Sequence, residues 1–185
     1  KQPVACARKV GTTVTVLDLF YNIPHRRKSM RPTDEYSKIL TAVQHYAIQY
    51  AGRGIGMVCP KSSSGKKAFK ATIDLNTTNL SAVKALKAAK RKGGTEDSDE
   101  NTENIESLCA KATKQVIAHV FGSQLVPYLH KFECKSEKDE EASSDEQQCS
   151  YTCTGYLSSP SFQKSTRTQL VLFVNDRLVE CNTLK

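Results

Sequence analysis

A cluster of basic residues around position 28 is the first feature of this sequence that could do chemistry. Five side chains within seven positions carry a positive charge or can acquire one: His25, Arg26, Arg27, Lys28 and Arg31. Such groups bind phosphate oxygens without reading base sequence. They equally suit ion pairs with acidic groups of a neighbouring domain, and a charge run is often only a solvated surface.

Two further basic features stand later in the chain. Arg177 follows Asn175 and Asp176, which predict a turn. An ordinary turn arginine would pair with Asp176 or Glu180, at about 0–1 kcal/mol. The other feature is a predicted helical face that reads as a DNA-binding or nuclear-localisation patch, or as solvated side chains. Its members are Lys84, Lys87, Lys90, Arg91 and Lys92.

Cysteine and histidine spacing argues against a metal site. The seven cysteines are an odd number with no CxxC pair, and the four histidines show no ligand spacing. This usage is typical of reduced thiols in a cytosolic or nuclear protein. P-loop, GxGxxG, HExxH and GxSxG motifs are absent from the sequence. We therefore predict neither a catalytic residue nor a metal ligand in this chain.

Charge is distributed unevenly along the 185 residues. The net charge is +6 over residues 1–60, +8 over 61–92, −8 over 93–149 and +2 over 150–185. A basic first half suggests an anionic partner, and an acidic block is most often a solvated insertion. No apolar run approaches the roughly 20 residues of a membrane span, so no membrane partner is expected. The first residue is Lys, and we expect the chain to be part of a longer protein.

Hydrophobic periodicity predicts alternating strands and helices, hence an α/β or α+β class. The predicted helices cover 33–50, 81–92 and 105–122, with Thr33 as a cap and Gly52 and Gly122 as stops. The predicted strands cover 12–20, 55–59, 69–75, 150–157 and 168–175. Residues 93–104 have the composition of a disordered insertion, and residues 133–149 that of an acidic loop.

Two segments, taken together, resemble a known family. Residues 11–30, "GTTVTVLDLFYNIPHRRKSM", are similar to the GT-strand and LFxNxPxRxKF signature of the MutL family of DNA mismatch repair proteins. Residues 170–180, "LVLFVNDRLVE", resemble its FVNxR strand and turn. The chain departs from the first signature at His25 and at residues 29–30. The resemblance covers most of the chain except the Lys-rich stretch and the two acidic blocks.

The resemblance implies an α+β fold. Residues 1–20 would be the last strand of a GHKL-type ATPase domain, the type shared by gyrase, Hsp90, histidine kinases and MutL. Residues 21–185 would be a transducer domain, incomplete at its C-terminus, with the ribosomal protein S5 domain 2-like fold. That fold is a mixed sheet of four or five strands covered by helices. Insertions would occupy about 81–104 and 135–148.

The resemblance also implies binding residues. Gly11 and Thr12 match the family's final nucleotide motif. The cluster of Arg26, Arg27 and Lys28 would contact DNA or the junction between the ATPase and transducer domains, and Arg177 would contact DNA in the groove between two protomers. The family's catalytic residues would lie upstream, and its γ-phosphate lysine downstream. ATP and Mg²⁺ are therefore expected in the full-length protein, and neither cofactor nor ATP hydrolysis in this segment alone.

The implied function is to couple ATP-dependent dimerisation to DNA binding and downstream repair signalling. The expected partners are duplex DNA, a second MutL-type subunit in a heterodimer and a mismatch-recognition protein of the MutS type, in the nucleus. One alternative is the transducer of a type II topoisomerase B-type ATPase, which would lack the LFxNxPxRxKF run. The other is an S5-like RNA-binding module, which would bind structured RNA tightly on its own.

Overall fold

The computed structural model describes residues 11–61, 72–92, 99–136, 150–162, 169–181 and 183, with backbone alone for 92 and 99–103. The chain divides into two compact units, Lys1–Ile39 and Leu40–Lys185. Its four α-helices and six strands are those of the described residues. No helix among them combines the length and apolar character that a membrane span requires.

Residues 12–20 do not form the predicted strand. Their backbone is irregular, and Val14, Val16 and Leu17 are 83%, 70% and 80% exposed. β-branched side chains favour a strand only where a neighbouring strand takes up the backbone hydrogen bonds. No described strand lies beside this segment. The strand prediction is wrong for this structure, and the assignment of residues 1–20 to an ATPase domain stays a prediction.

Two turns lead from this segment into the short helix α1, Pro24–Ser29. The amide of Tyr21 donates to the carbonyl of Asp18 at 3.0 Å, and that of Ile23 donates to Phe20 at 3.0 Å. Pro24 occupies the first helical position, where its missing N–H costs nothing and its fixed φ suits the helix. The asparagine and proline that end the apolar pattern therefore begin a helix.

Helix α2, Pro32–Ala51, confirms the helix predicted over 33–50. It begins at Pro32, so Thr33 lies inside the first turn and not at the cap. Asp34 and Glu35 lie in the first turn, where negative charge is favourable. The left-handed residue after the helix is Gly54, with φ +76°, whose amide donates to the carbonyl of Ala51 at 2.9 Å. A left-handed backbone favours glycine, so Gly54 sets the direction of the chain.

Strands β1, Val58–Lys61, and β2, Thr72–Asn76, overlap the strands predicted at 55–59 and 69–75 and pair antiparallel. The register shifts between Cys59 and Pro60, and proline is tolerated at such an irregular edge. The fully buried Thr77 extends the pairing, since its Oγ1 accepts a 2.8 Å hydrogen bond from the amide of Met57. This bond satisfies a backbone group inside the protein.

Helices α3, Ser81–Lys92, and α4, Asp99–Phe121, confirm the predicted helices at 81–92 and 105–122. Val83 and Leu86 of α3 are buried, as are Ala112 and Val116 of α4. Gln115 joins the two helices: its Oε1 accepts from the amide of Ala82 at 2.9 Å, and its Nε2 donates to Ser81 at 3.0 Å. A side chain of α4 thus caps the start of α3.

The disorder predicted over residues 93–104 is wrong for residues 99–104, whereas the insertion predicted at about 81–104 stays a prediction. Helix α3 supplies buried side chains, and residues 99–104 belong to α4. Residues 93–98 lie outside the described residues.

Strand β3, Leu129–Lys135, follows a 3₁₀ helix, Ser123–Tyr128, and pairs antiparallel with β4, Thr152–Ser158. Strand β4 confirms the strand predicted at 150–157, whereas β3 was not predicted. Residues 133–135 belong to β3 and not to an acidic loop. Residues 137–149, which hold most of that loop and of the insertion predicted at 135–148, lie outside the described residues.

Strands β5, Leu172–Val174, and β6, Arg177–Val179, form a tight antiparallel hairpin. Asn175 and Asp176 occupy its loop with φ values of 49° and 63°. Two consecutive residues at positive φ define the turn whose twist matches the flanking strands. The predicted turn is confirmed, and Arg177 is the first residue after it.

The described strands form three two-stranded antiparallel sheets, in place of the four- or five-stranded mixed sheet that the resemblance implied. Each strand pairs with the next strand in the sequence, so the observed pairings are all local. Sequence patterns identify strands, but the joining of hairpins into one sheet depends on contacts that are remote in sequence. The α+β class is supported, and the S5-like arrangement stays a proposal.

Candidate nucleic-acid interface

The loop of the β5–β6 hairpin is fastened to helix α2 and the residues just after it. Arg53 Nη2 lies 2.7 Å from each oxygen of the Asp176 carboxylate. Gln49 Nε2 donates a further hydrogen bond of 3.0 Å to the same carboxylate. Hydrogen bonds to a charged group are stronger than neutral ones. The loop is therefore held in a fixed position on α2.

Aromatic packing supports the same hairpin. The rings of Tyr46 and Phe173 form an edge-to-face contact, with their centroids 5.2 Å apart. Tyr50 stacks beside Tyr46 at 6.2 Å, and the guanidinium of Arg53 lies 4.9 Å above the Tyr50 ring. The four contacting positions, 46, 49, 50 and 53, follow the helical spacing that places residues on one face.

This arrangement decides which charge the hairpin presents. The hydrogen bond from Arg53, and then the one from Gln49, lower the pKa of Asp176, so its carboxylate is anionic at neutral pH. Its charge is taken up by Arg53 and not by Arg177. Within the described ranges, no acidic group lies within 4.0 Å of Arg177, which is exposed. The pairing of Arg177 with Asp176 or Glu180 is thus absent from this structure.

The basic cluster at 26–28 lies in the last turn of α1, where positive charge suits the helix end. Arg26 lies 4.3 Å above the ring of Phe20. Arg27 lies 3.8 Å from Asp18, and both side chains are mostly exposed, so the pair contributes little stability. The cluster is positioned by its own unit and stays available to solvent. Its contact with DNA or with an ATPase domain stays a prediction.

Gly11 and Thr12 are both exposed. A Cβ atom at Gly11 would meet nothing within 4 Å. Close approach of a described group therefore does not explain the glycine, and the nucleotide-binding role of both residues stays a prediction. The described residues contain no group of three or more metal-ligating side chains.

The lysines of α3 lie around a helix whose other side is buried. Lys84, Lys87 and Arg91 are exposed. Lys90 is exposed as well and donates to the carbonyl of Gly52 at 3.3 Å. The side chain of Lys92 lies outside the description. Helix α3 thus combines a structural face with a basic face.

Comparisons with known proteins support the resemblance to the MutL family. The profile of the family described as "DNA mismatch repair protein, C-terminal domain" matches residues 117–185, which include Arg177. DNA mismatch repair protein MLH1 of Saccharomyces cerevisiae is 48% identical over 62 residues, 33% of this chain and 8% of that protein. These matches support a MutL-family DNA mismatch repair protein. Within that family it is MLH1-like.

Two relatives match this chain almost from end to end. The putative MutL protein homolog 1 of Schizosaccharomyces pombe is 27% identical over 184 residues, 99% of the chain and 20% of that protein. Mlh1 of Dictyostelium discoideum is 26% identical over 185 residues, 99% of the chain and 18% of that protein. The chain thus spans about a fifth of these relatives' length. No solved structure matches it significantly.

The resemblance implied a DNA-binding role for Arg177, which stays a prediction, whereas the contacts of Gln49 and Arg53 were not predicted. Asp176 is separated from Arg53 by 123 positions. The spacing of Gln49 and Arg53 places them on one helical face with Tyr46 and Tyr50, which was the available signal. Nothing in the sequence indicates that the hairpin packs on that face.

A histidine beside the same hairpin supplies a pH test of this packing. His45 is half-buried, and burial lowers its pKa below the ordinary 6.5, while Glu180 opposes the shift. We expect Glu180→Gln to lower the His45 pKa further, as followed by NMR titration of the imidazole C–H signals. The pKa of His45 is thus lower in the folded chain than in the unfolded chain. As pH falls below 6.5, the unfolded chain binds more protons at this residue, so the free energy of unfolding decreases. Glu106→Gln, on α4, is the control and should leave His45 unchanged; a raised His45 pKa in Glu180→Gln would contradict the packing.

Proposed function

We propose that this chain is the transducer segment of a MutL-type mismatch repair protein, with an S5 domain 2-like arrangement in its full-length context. It couples ATP-dependent dimerisation to the binding of duplex DNA and to downstream repair signalling. Family membership supports the repair context. The contacts of Gln49 and Arg53 with Asp176 support a binding role, because they fix the loop that precedes Arg177 and take up the charge of Asp176.

The single observation that carries the DNA-binding proposal is the charge state of the hairpin. Asp176 is satisfied by Arg53 and Gln49, so Arg177 projects a charge that no described acid neutralises. The guanidinium of Arg177 carries N–H donors in a planar fork that matches two phosphate oxygens at once. Arg177 would be a positional anchor on the DNA backbone and would carry no sequence information.

The remaining partners follow from the same proposal. The full-length protein would use ATP and Mg²⁺, with Gly11 and Thr12 at the nucleotide site. It would join a second MutL-type subunit and receive the mismatch signal from a MutS-type protein in the nucleus. Coupling requires that the nucleotide states differ in their affinity for DNA or for the second subunit.

Titration of fluorescent duplex DNA with wild type and Arg177→Ala at several salt concentrations tests the proposal. Wild type should bind weakly, without sequence preference, and more weakly as salt rises. Arg177→Ala should bind more weakly, with a salt slope smaller by about one phosphate contact. Lys38→Ala is the matched control, because it removes the same charge from a lysine paired with Glu35 at 2.8 Å.

Equal affinity and slope for wild type and Arg177→Ala would remove Arg177 from the interface. Two duplexes of unrelated sequence should give the same affinity, because backbone contacts do not discriminate bases. A structured RNA forms the third arm of the experiment. Binding of RNA much more tightly than duplex DNA would favour the S5-like RNA-binding alternative.

A further inference from the structure

Two cysteines lie directly opposite each other in the β3–β4 ladder. Cys134 of β3 pairs with Cys153 of β4, and both are exposed free thiols. Neighbouring pairs in the ladder are mixed, such as Glu133 with Thr154 and Lys135 with Thr152. The matching of thiol with thiol occurs at this position of the ladder, and it joins residues that are 19 positions apart in the sequence.

The alternation of hydrogen-bonded and non-hydrogen-bonded pairs along the two strands determines the distance between the Cα atoms of the two cysteines. The amide of Ser136 donates to the carbonyl of Tyr151 at 2.9 Å, and that of Ser159 donates to Tyr128 at 2.8 Å. Because hydrogen-bonded and non-hydrogen-bonded pairs alternate, the cysteine pair two positions inward from Ser136 is a hydrogen-bonded one. Cα atoms of such pairs lie about 5.5 Å apart, within the range of roughly 4.4–6.8 Å that a disulfide spans.

The cysteines lie on the side of the hairpin that faces away from α4. Lys131 has the opposite parity in β3, and its ammonium group lies 3.1 Å from Glu106 of α4. Successive side chains of a strand alternate between faces, so Cys134 and Cys153 share the other face. That face is open at this point, and small thiol reagents can reach both sulfur atoms.

We propose that Cys134 and Cys153 are a thiol–disulfide pair, oxidised by small disulfides such as glutathione disulfide. One thiolate attacks the glutathione disulfide, whose S–S bond breaks, and a mixed disulfide forms as one glutathione leaves. The second thiolate then attacks the protein sulfur of the mixed disulfide and expels the second glutathione. The two protons lost by the cysteines pass to the two glutathione thiolates, so the reaction balances.

The disulfide would close a ring of about 20 residues, which stabilises a fold chiefly by restricting the unfolded chain. It would fix the register of β3 against β4. Side chains of a hydrogen-bonded pair start farther apart than the roughly 3.8 Å between Cβ atoms of a disulfide. The hairpin must therefore twist slightly, and a strained, exposed bond is readily reduced again. Reversibility suits a compartment where thiols are normally reduced.

Oxidation of the folded 185-residue chain with glutathione disulfide, followed by alkylation and peptide mass spectrometry, tests the pair. The expected product is a crosslinked peptide containing Cys134 and Cys153, which dithiothreitol converts back to two alkylated peptides. Cys134→Ser and Cys153→Ser should each lose the crosslink and carry glutathione on the remaining cysteine. Cys181→Ser is the matched control and should keep it.

The same oxidation in denaturant separates the ladder from chance collision. Without the ladder, the yield of the 134–153 crosslink should fall several-fold, because Cys149 is much nearer to Cys153 in sequence. Two glutathione adducts without a crosslink in the folded chain would overturn the proposal. So would a yield that is the same with and without denaturant.

Discussion

Replacing Leu86 by alanine is expected to lower the free energy of unfolding by about 2–5 kcal/mol, the usual cost of truncating a buried leucine. Leu86 has no exposed surface and lies with Val83 on the inner side of α3. Its side chain approaches the turn at Gly54, where a Cβ would come within 3.6 Å of Leu86 Cγ. The cavity would open between α3 and the end of α2. Chemical denaturation followed by circular dichroism measures the change.

Lys84→Ala is the control for Leu86→Ala, because it alters the same helix at an exposed position. A surface substitution of this kind should change stability by no more than about 0.5 kcal/mol. Equal stability of wild type and Leu86→Ala would contradict the buried position of Leu86 between α3 and its neighbours.

Gly56→Ala is expected to cost about 1–3 kcal/mol, because it overpacks a site with no room for a methyl group. A Cβ at Gly56 would lie 2.6 Å from the Cα and 2.9 Å from the backbone nitrogen of Thr78, far inside ordinary contact. Backbone atoms cannot rotate away as a side chain can. The segment before β1 and the segment after β2 would have to separate, against the bond between Met57 and Thr77.

A double variant shows whether the backbone causes the loss in Gly56→Ala. Thr78→Ser removes the methyl group, which lies 2.8 Å from the added Cβ, but leaves the backbone contact in place. Gly56→Ala combined with Thr78→Ser should therefore remain destabilised relative to Thr78→Ser alone. Full recovery in the double variant would show that the side chain of Thr78 was the obstacle. Urea midpoints of the four proteins complete the cycle.

Local chemistry explains which elements could be predicted from the sequence. The turn at Asn175 and Asp176 was predicted because both residue types tolerate positive φ. Helix α2 was predicted because its apolar residues recur at helical spacing. Strand β3 was missed because Lys131, Glu133 and Lys135 are charged, as are many residues of the stretch that follows. These three residues alternate with Phe132 and Cys134, which is a strand pattern.

Predictions that needed a distant partner were less successful. Residues 12–20 have strong strand character, but no described strand hydrogen-bonds to them. The site shows the same limit, because the Arg53 contact to Asp176 crosses 123 positions and was not predicted. The role that the signature implied for Arg177 stays a prediction. Propensity describes what a segment can do alone, and it cannot supply the surface that the segment packs against.

The basic face of α3 can now be tested separately from the fold. Val83 and Leu86 hold the helix in place, while Lys84, Lys87 and Arg91 lie outside. Removing these charges should leave the packing of α3 on α4 intact. A loss of DNA affinity in such variants would then report charge and not unfolding, which makes α3 a useful second probe of the proposed interface.

The exposed apolar side chains of residues 14–19 also affect how the chain behaves in a test tube. The side chains of Val14, Val16 and Leu17 expose apolar surface to solvent, next to backbone groups that can still hydrogen-bond. The same segments of two molecules can therefore pair with each other as β-strands. Self-association should therefore increase as the protein concentration rises, and dilute solutions are the proper condition for measuring DNA affinity.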